Sequence, residues 1–190
     1  MGKYNWLVKE IVDENRRVLE AVSEHEIARL IDEIENAKTI QLFAMGRMQA
    51  SMRGFAMRLK HMGLDTYVVF DTTTPAIGKG DLLIVNCAVT VVDLNIIKFA
   101  KQAGARICVI TAHPENEQGQ LADLAVTVPG QIFGTAPEIR SIQPMASLLE
   151  QALFIFEDIV VMMLMEKRGI STLEMQGRHT NLEGVMAAFA

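Results

Sequence analysis

Thr39-Ile-Gln-Leu-Phe-Ala-Met-Gly-Arg47 is the stretch that decides the fold. A short uncharged apolar run reads as a buried strand. Met45-Gly46-Arg47 then turns it into a helix expected from about Gln49 to Met62. Gly63 closes that helix, because a residue without Cβ takes the left-handed C-cap position without steric cost.

The same alternation recurs downstream. Tyr67-Val-Val-Phe70, Leu82-Leu-Ile-Val85, Arg106-Ile-Cys-Val-Ile-Thr111 and Leu124-Ala-Val-Thr-Val128 are further apolar strands. Thr90 and Asp93 form a capping box that opens a helix ending near Gly104. Pro129 to Arg140 reads as a loop, and the longest helix is expected from Pro144 to about Lys167, with proline in its first turn. Upstream lie an amphipathic helix over Asn5 to Val22, with Trp6, Leu7, Ile11, Val18, Leu19 and Val22 near one face, and a second helix opened by a Ser23/Glu26 box. Strands apolar along their whole length and separated by helices imply a parallel sheet covered on both faces. We expect one domain over 1–190: N-terminal helices over 1–37, an α/β core over 38–168 and a tail over 169–190, with room for another short helix after Ser171. Ligands bind such sheets at the carboxyl ends of the strands, which selects the loops Met45–Gln49, Asn86–Val91 and His113–Gln118.

Composition narrows the classes. Half of the 190 residues are hydrophobic and 22% are charged, which excludes a disordered chain. A net charge of −5 argues against a sequence-independent grip on nucleic acid. Cys87 and Cys108 sit in valine- and isoleucine-rich runs without metal-ligand spacing, so free buried thiols are expected. No signal peptide is visible, and the expected location is the cytoplasm. Leu148 to Met165 has the apolar length of a membrane span, but Glu150, Glu157 and Asp158 interrupt it, so it reads as a helix buried in the core or in a subunit contact. Of the 12 methionines, Met52, Met57, Met162, Met163 and Met165 fall at core-like or interface-like helical spacing, which suits subunit packing.

Two side chains stand out chemically. His61 ends a helix beside Gly63, and Glu150 lies in the early turns of the longest helix. A histidine and a carboxylate so placed are what a proton-moving site needs. Each also has a plainer role, His61 at a helix C-terminus and Glu150 near a helix N-terminus, where their charges suit the dipole.

Gly46-Arg47, Phe55-Ala-Met-Arg-Leu59, His61-Met-Gly63, Gly80-Asp-Leu82, Ile142-Gln-Pro-Met145, Ser147-Leu148, Glu150-Gln151 and Asn181-Leu-Glu183 occur in an order that spans nearly the whole chain. On these landmarks the sequence resembles the sugar isomerase (SIS) domain family, and within it the 6-phospho-3-hexuloisomerases. The resemblance implies a flavodoxin-like three-layer α-β-α sandwich with a five-stranded parallel sheet. It also implies a homo-oligomer, dimer or tetramer, and isomerisation of a ketohexose 6-phosphate between 2-keto and 3-keto forms without metal or organic cofactor.

The chain departs from the family at its serine-rich loops. Gly46-Arg47-Met48-Gln49 stands where the family has Gly-Arg-Ser-Gly. Asn86-Cys-Ala-Val-Thr-Val-Val92 stands where it has Gly-Ser-Gly-Ser-Gly-Glu-Thr. Met48, Cys87, Val89 and Val92 thus replace the hydroxyls that family members use on the phosphate, and bulky Met48, Val89 and Val92 threaten to fill the space. Arg47 is the best remaining cation, with Gly46, Gln49, Ser51, Cys87 and Thr90 as further candidate substrate contacts. Gln143 is a candidate for a substrate hydroxyl, and His179, beside the tail motif, for closing the site. Glu150 is the expected base. His61 lies about 20 Å from its own loop at 1.5 Å per residue, so it is expected to serve a neighbouring subunit's site. No zinc-like spacing links the histidines. The lost hydroxyls favour a second reading, a non-catalytic SIS protein that senses a sugar phosphate.

Overall fold

The computed structural model describes residues 2–182, so Glu183 and the rest of the tail lie outside the described residues. The elements run α1 (Lys3–Glu20), α2 (Glu24–Asn36), β1 (Ile40–Ala44), α3 (Met48–His61), β2 (Thr66–Val68), β3 (Leu82–Asn86), α4 (Val91–Gln102), β4 (Arg106–Thr111), α5 (Glu117–Leu121), β5 (Leu124–Thr127), α6 (Ser147–Arg168) and α7 (Thr172–Gly177). The five strands form one parallel sheet in the order β2-β1-β3-β4-β5, the expected α/β sandwich.

Strand periodicity divides the core in two. Ile40, Leu42, Ala44, Leu82, Ile84, Cys108 and Ile110 point to a layer built with α2, α3 and α6. Phe43, Leu83, Val85, Ile107 and Val109 point to the opposite layer, with Ile97 and Ala100 of α4. Chain order reverses between β1 and β3, so the loops after these neighbouring strands diverge and leave a crevice at their carboxyl ends. β1 feeds α3 there, and α6 packs on α3 from outside the sheet.

Several local expectations are corrected. α6 begins at Ser147 and not at Pro144: Met145 is left-handed at φ 57° and Pro144 O accepts from Ser147 N at 3.3 Å, so a turn precedes the helix. Part of the loop expected after β4 winds into α5. The Thr90/Asp93 capping box forms in both directions. At α2 only half of the expected box exists: Ser23 Oγ accepts from Glu26 N, while the Glu26 carboxylate turns away to accept from Thr127 N at 2.7 Å. α1 buries Glu14, Asn15 and Val18, whereas Trp6 is half-exposed and Val12 is 63% exposed. Among the described residues no helix is long and apolar enough to cross a membrane.

The loop after β5 lies directly on the start of α6. A Cβ added to Gly130 would sit 2.7 Å from Leu149 Cα and 2.9 Å from Leu149 N, closer than packed atoms tolerate. Gly130→Ala should therefore destabilise the protein by about 1–3 kcal/mol, measured as a lower urea midpoint at unchanged slope.

Candidate active site

The crevice is built from the start of α3 and the start of α6. Gly46, left-handed at φ 59°, swings the chain out of β1 and sets Arg47 at the N-cap of α3. Arg47 Nη1 lies 2.6 Å from Glu150 Oε2 in the first turn of α6, a charge contact rather than an aligned hydrogen bond. The same nitrogen donates to Ser147 Oγ at 3.2 Å. The Glu150 side chain is only 16% exposed whereas that of Arg47 is 67% exposed, so the acid is held and the cation can swing. A cleft of about 420 Å³ opens beside them, lined by Arg47, Ala50, Ser51, Glu150, Gln151, Phe154 and Ile155. Neither α3 nor α6 has a side-chain N-cap, although turn carbonyls already accept from Gln49 N, Ala50 N and Ser147 N.

The bulky substitutions do not fill this cleft. Met48 turns into the core and is buried, and neither Val89 nor Val92 lines the space. Of the other expected contacts, Ser51 reaches the cleft, while Gln49, Cys87 and Thr90 are committed elsewhere. Gln49 Oε1 folds back to accept from Ala44 N at 3.0 Å. Cys87 is buried and its thiol is pushed up to about 12 by desolvation and then by Asp93, so it is no thiolate at neutral pH. Thr90 Oγ1 accepts from Asp93 N, and the Asp93 carboxylate in return accepts from Thr90 N at 2.8 Å. The N-terminus of α4 thus carries its own buried anion. Val89, between Cys87 and Thr90, sits at φ 63°, a strained conformation for a β-branched residue.

Buried carboxylates absent from the sequence-based site set support the cleft. Glu14 of α1 is buried and accepts from Ser141 Oγ at 2.6 Å, Ile142 N at 2.7 Å and Gln143 Nε2 at 3.2 Å. Gln143 also exchanges hydrogen bonds with Gln151, which accepts from Asn15 Nδ2 at 3.0 Å. Gln143 is therefore a tie between the loop, α1 and α6. Glu157, two turns after Glu150 on α6, meets Ser51 and Asn86 below the cleft. Its signal in the sequence is a second carboxylate inside an otherwise apolar helix. Glu14 has no comparable signal, because its helix also carries Glu10, Asp13 and Glu20 and one more acid there does not stand out.

His61 and His179 come together in a separate cleft of about 440 Å³ with Arg58, Asp158, Met162 and Met175. Their ring centroids are 5.1 Å apart. Burial holds the His61 imidazole below its ordinary value, and His179 and Arg58 add to the effect. Arg178 Nη1 donates to His61 O at 3.0 Å, closing the end of α3. Within one chain, then, Glu150 pairs with Arg47 and His61 with His179, at opposite ends of the seam between α3 and α6.

At the far side of the strand edge, His113 is clamped between Glu138 Oε1 at 2.7 Å and Glu115 Oε1 at 2.8 Å. The buried Glu138 also accepts from Phe133 N and Gly134 N, so this cluster pins the loop after β5. Burial opposes the imidazolium, but hydrogen bonds to Glu138 and Glu115 outweigh it and raise His113. Burial likewise pushes Glu138 up, but Phe133 N–H, His113 and Gly134 N–H together bring it down.

A parallel sheet of this order, with a crevice at its switch point, is the fold that solved sugar isomerase domains share. The domain of that description in a Sphaerobacter thermophilus transcription factor superposes with a TM-score of 0.73 at 12% identity, covering 98% of this chain and 99% of that one. No family model matches the sequence. The 3-hexulose-6-phosphate isomerase of Bacillus subtilis is 34% identical over 179 residues, 93% of this chain and 97% of that protein. A Methanococcus jannaschii protein whose crystal structure infers a 3-hexulose-6-phosphate isomerase function superposes with a TM-score of 0.80 at 30% identity, covering 92% of this chain and 98% of that one. The chain belongs to the 3-hexulose-6-phosphate isomerase family.

Because His113 is raised in the folded protein, its stabilisation is complete below its unfolded value of 6.5 and is lost as pH climbs through the folded value. His113→Ala should consequently lower the melting temperature more at about pH 6 than at about pH 9. Equal losses at both pH values would show that the clamp carries no charge.

Proposed function

We propose that the protein interconverts the 3-keto and 2-keto forms of a hexose 6-phosphate, with Glu150 as the base. The observation that carries this is the Glu150 carboxylate, little exposed yet open to a cleft at the sheet's switch point, with an exposed guanidinium beside it. Glu150 removes the proton from C2 of the 3-keto sugar. The C2–H electron pair forms the C2=C3 bond, and the carbonyl oxygen on C3 takes a proton to complete the enediol. The hydroxyl on C2 then loses its proton as C2=O forms, and Glu150 returns its proton to C3. Such positioned general-base catalysis is worth about 10²–10⁴-fold.

The phosphate finds its charge partner in Arg47, which can leave Glu150 when an anion arrives, and in the helix-end dipoles of α3 and α6 with those first-turn N–H groups that turn carbonyls do not take. Asp93 makes α4 a poor alternative, since its carboxylate already faces the loop amide of Thr90. In this reading the hydroxyls replaced by Met48 and Cys87 are not substituted in place; the anion-binding task passes to the neighbouring helix ends. The Bacillus subtilis and Mycobacterium gastri relatives bear the name of the enzyme, which supports turnover over a sensor without chemistry.

His61 belongs to this reading as a proton carrier supplied by a second copy of the chain in a cytoplasmic homo-oligomer, dimer or tetramer. Phe154, Ile155, Ile159 and Met162 form an exposed face on α6 that runs from one cleft to the other and is apolar but for Asp158, a surface suited to such a contact. His179 accompanies His61.

Two experiments test the reading. Glu150→Gln should lower kcat by about 10²–10⁴-fold while a 2-ketohexose 6-phosphate still raises the melting temperature. Mixing inactive Glu150→Gln with inactive His61→Ala should restore turnover, because mixed oligomers contain sites with both native residues. If mixing restores nothing after subunit exchange is shown, the shared site is wrong.

A further inference from the structure

Glu157 is 2% exposed and sits beneath the cleft floor. Its Oε1 accepts from Asn86 Nδ2 at 2.6 Å and shares the single Ser51 Oγ proton, at 3.2 Å, with Met48 O at 2.9 Å. Ser51 lines the cleft, and its Oγ also accepts from Asn86 Nδ2 at 3.2 Å, so the three side chains form one closed group across α6, α3 and β3. Asn86 is fully buried, and among the described residues its Oδ1 has no donor. An unmet buried acceptor is costly, and a carboxylate has no proton to give it. A carboxylic acid does.

We infer that Glu157 is a positioning residue of this site, a neutral acid that clamps Ser51 and Asn86 under the cleft and keeps its floor uncharged for an anionic guest. This rests on the sugar-phosphate reading above. Glu150 and Glu157 are two turns apart on one helix face. Ionising the lower acid would add a buried negative charge beside the cleft, repelling the phosphate and competing for Arg47.

Among the described residues nothing around Glu157 neutralises a charge there. From α3 it faces Ser51, and from β3 it faces Asn86, both uncharged. Arg47 is paired with Glu150, and Arg58 and His61 line the other cleft. From α1, Glu14 is engaged by the 141–143 loop; from α2, Asp32 and Glu35 pair with Lys167. Asp158, the next residue, adds a like charge. Desolvation, opposed by the Asn86 and Ser51 hydrogen bonds and assisted by Asp158, pushes the Glu157 carboxyl up to about 8.

Glutamine reproduces the neutral acid, with a carbonyl to accept where Oε1 accepts and an amide to donate towards Asn86. The test compares native protein, Glu157→Gln and Glu157→Ala between about pH 6.5 and 9.5. In the native protein KM for a 2-ketohexose 6-phosphate should rise roughly tenfold from about pH 7 to 9, the order expected of a buried like charge within about 10 Å. In Glu157→Gln that rise should vanish while kcat stays near native, and Glu157→Ala should lose turnover at every pH. Parallel KM profiles for native protein and Glu157→Gln overturn the proposal, as does full activity of Glu157→Ala.

A second readout needs no turnover. Because the acid's folded value is raised, native stability falls as pH rises from the unfolded value of 4.5 towards the folded one. Glu157→Gln should therefore melt higher than native protein at about pH 8 and equally at about pH 4. A constant difference means that folding does not raise the Glu157 carboxyl above its ordinary value and overturns the proposal. If neither protein turns over, the isomerase reading fails by itself; the pH dependence of the stabilisation by fructose 6-phosphate then decides. A stabilisation that fades with pH only in the native protein supports Glu157, and one that is absent or unaffected by the substitution overturns it.

Discussion

Glu150 reaches Arg47 only because the rest of α6 is driven into the core. Leu148, Leu149, Ala152, Leu153, Phe156, Val160, Val161 and Leu164 are all buried, against a layer that includes Met52, Phe55 and Leu59 of α3. Burying one large apolar side chain is worth about 1.5–3 kcal/mol, so this seam outweighs any single polar contact at the edge. Its period sets which α6 residues face α3. Glu150 and Glu157 fall where the helix emerges at the strand edge and where it passes beneath it. One helix therefore supplies two carboxylates with opposite environments, one beside a guanidinium and an open cleft, the other sealed among neutral donors.

Buried carboxylates elsewhere at this edge follow the same logic with different partners. Glu14 is met by Ser141 Oγ, Ile142 N and Gln143 Nε2, and so fixes the approach to α6. Glu138 is met by His113 and the amides of Phe133 and Gly134, and so fixes the loop that Gly130 lays against Leu149. Asp93 closes the mouth of α4 through Thr90 N. Buried polar groups must find partners or cost stability, and here the partners are the loops that frame the cleft. The site's rigidity is thus a consequence of acids placed under loops.

The strands are legible in the sequence because a sheet covered on both faces needs uninterrupted apolar runs, as in Leu82–Asn86 and Arg106–Thr111. The Thr90/Asp93 box is legible because both partners are local. Longer-range competition is not. The Glu26 carboxylate forgoes Ser23 N for Thr127 N, a partner that comes into reach only after folding. Pro144 marks the start of α6 in pattern alone; the left-handed Met145 delays it to Ser147. Arg47, Ser51 and Glu150 are readable as one site from their placement at the sheet's edge. Gln49, Cys87 and Thr90 share that edge, yet local hydrogen bonds and burial remove them from it. Spacing reports which residues arrive at a place, not which way each side chain turns.

The separation of the two clefts has a geometric consequence for the shared-site reading. Glu150 and Met162 mark the two ends on α6, about 18 Å apart at 1.5 Å per residue. A two-fold axis makes an interface self-complementary, so residue i of one copy meets residue j of the other and j meets i. An antiparallel pairing centred near Ile155 and Ile159 would therefore set each His61 cleft against its partner's Glu150 cleft, and would do so twice. Apart from Asp158, the exposed residues at that centre are apolar, and those flanking it are Phe154 at one end and Met162 at the other. A helix that supplied only its own core would have no reason to be apolar there. One burying a second face against its own image has that reason, and the same act would bring the imidazole to the carboxylate that its own chain holds out of reach.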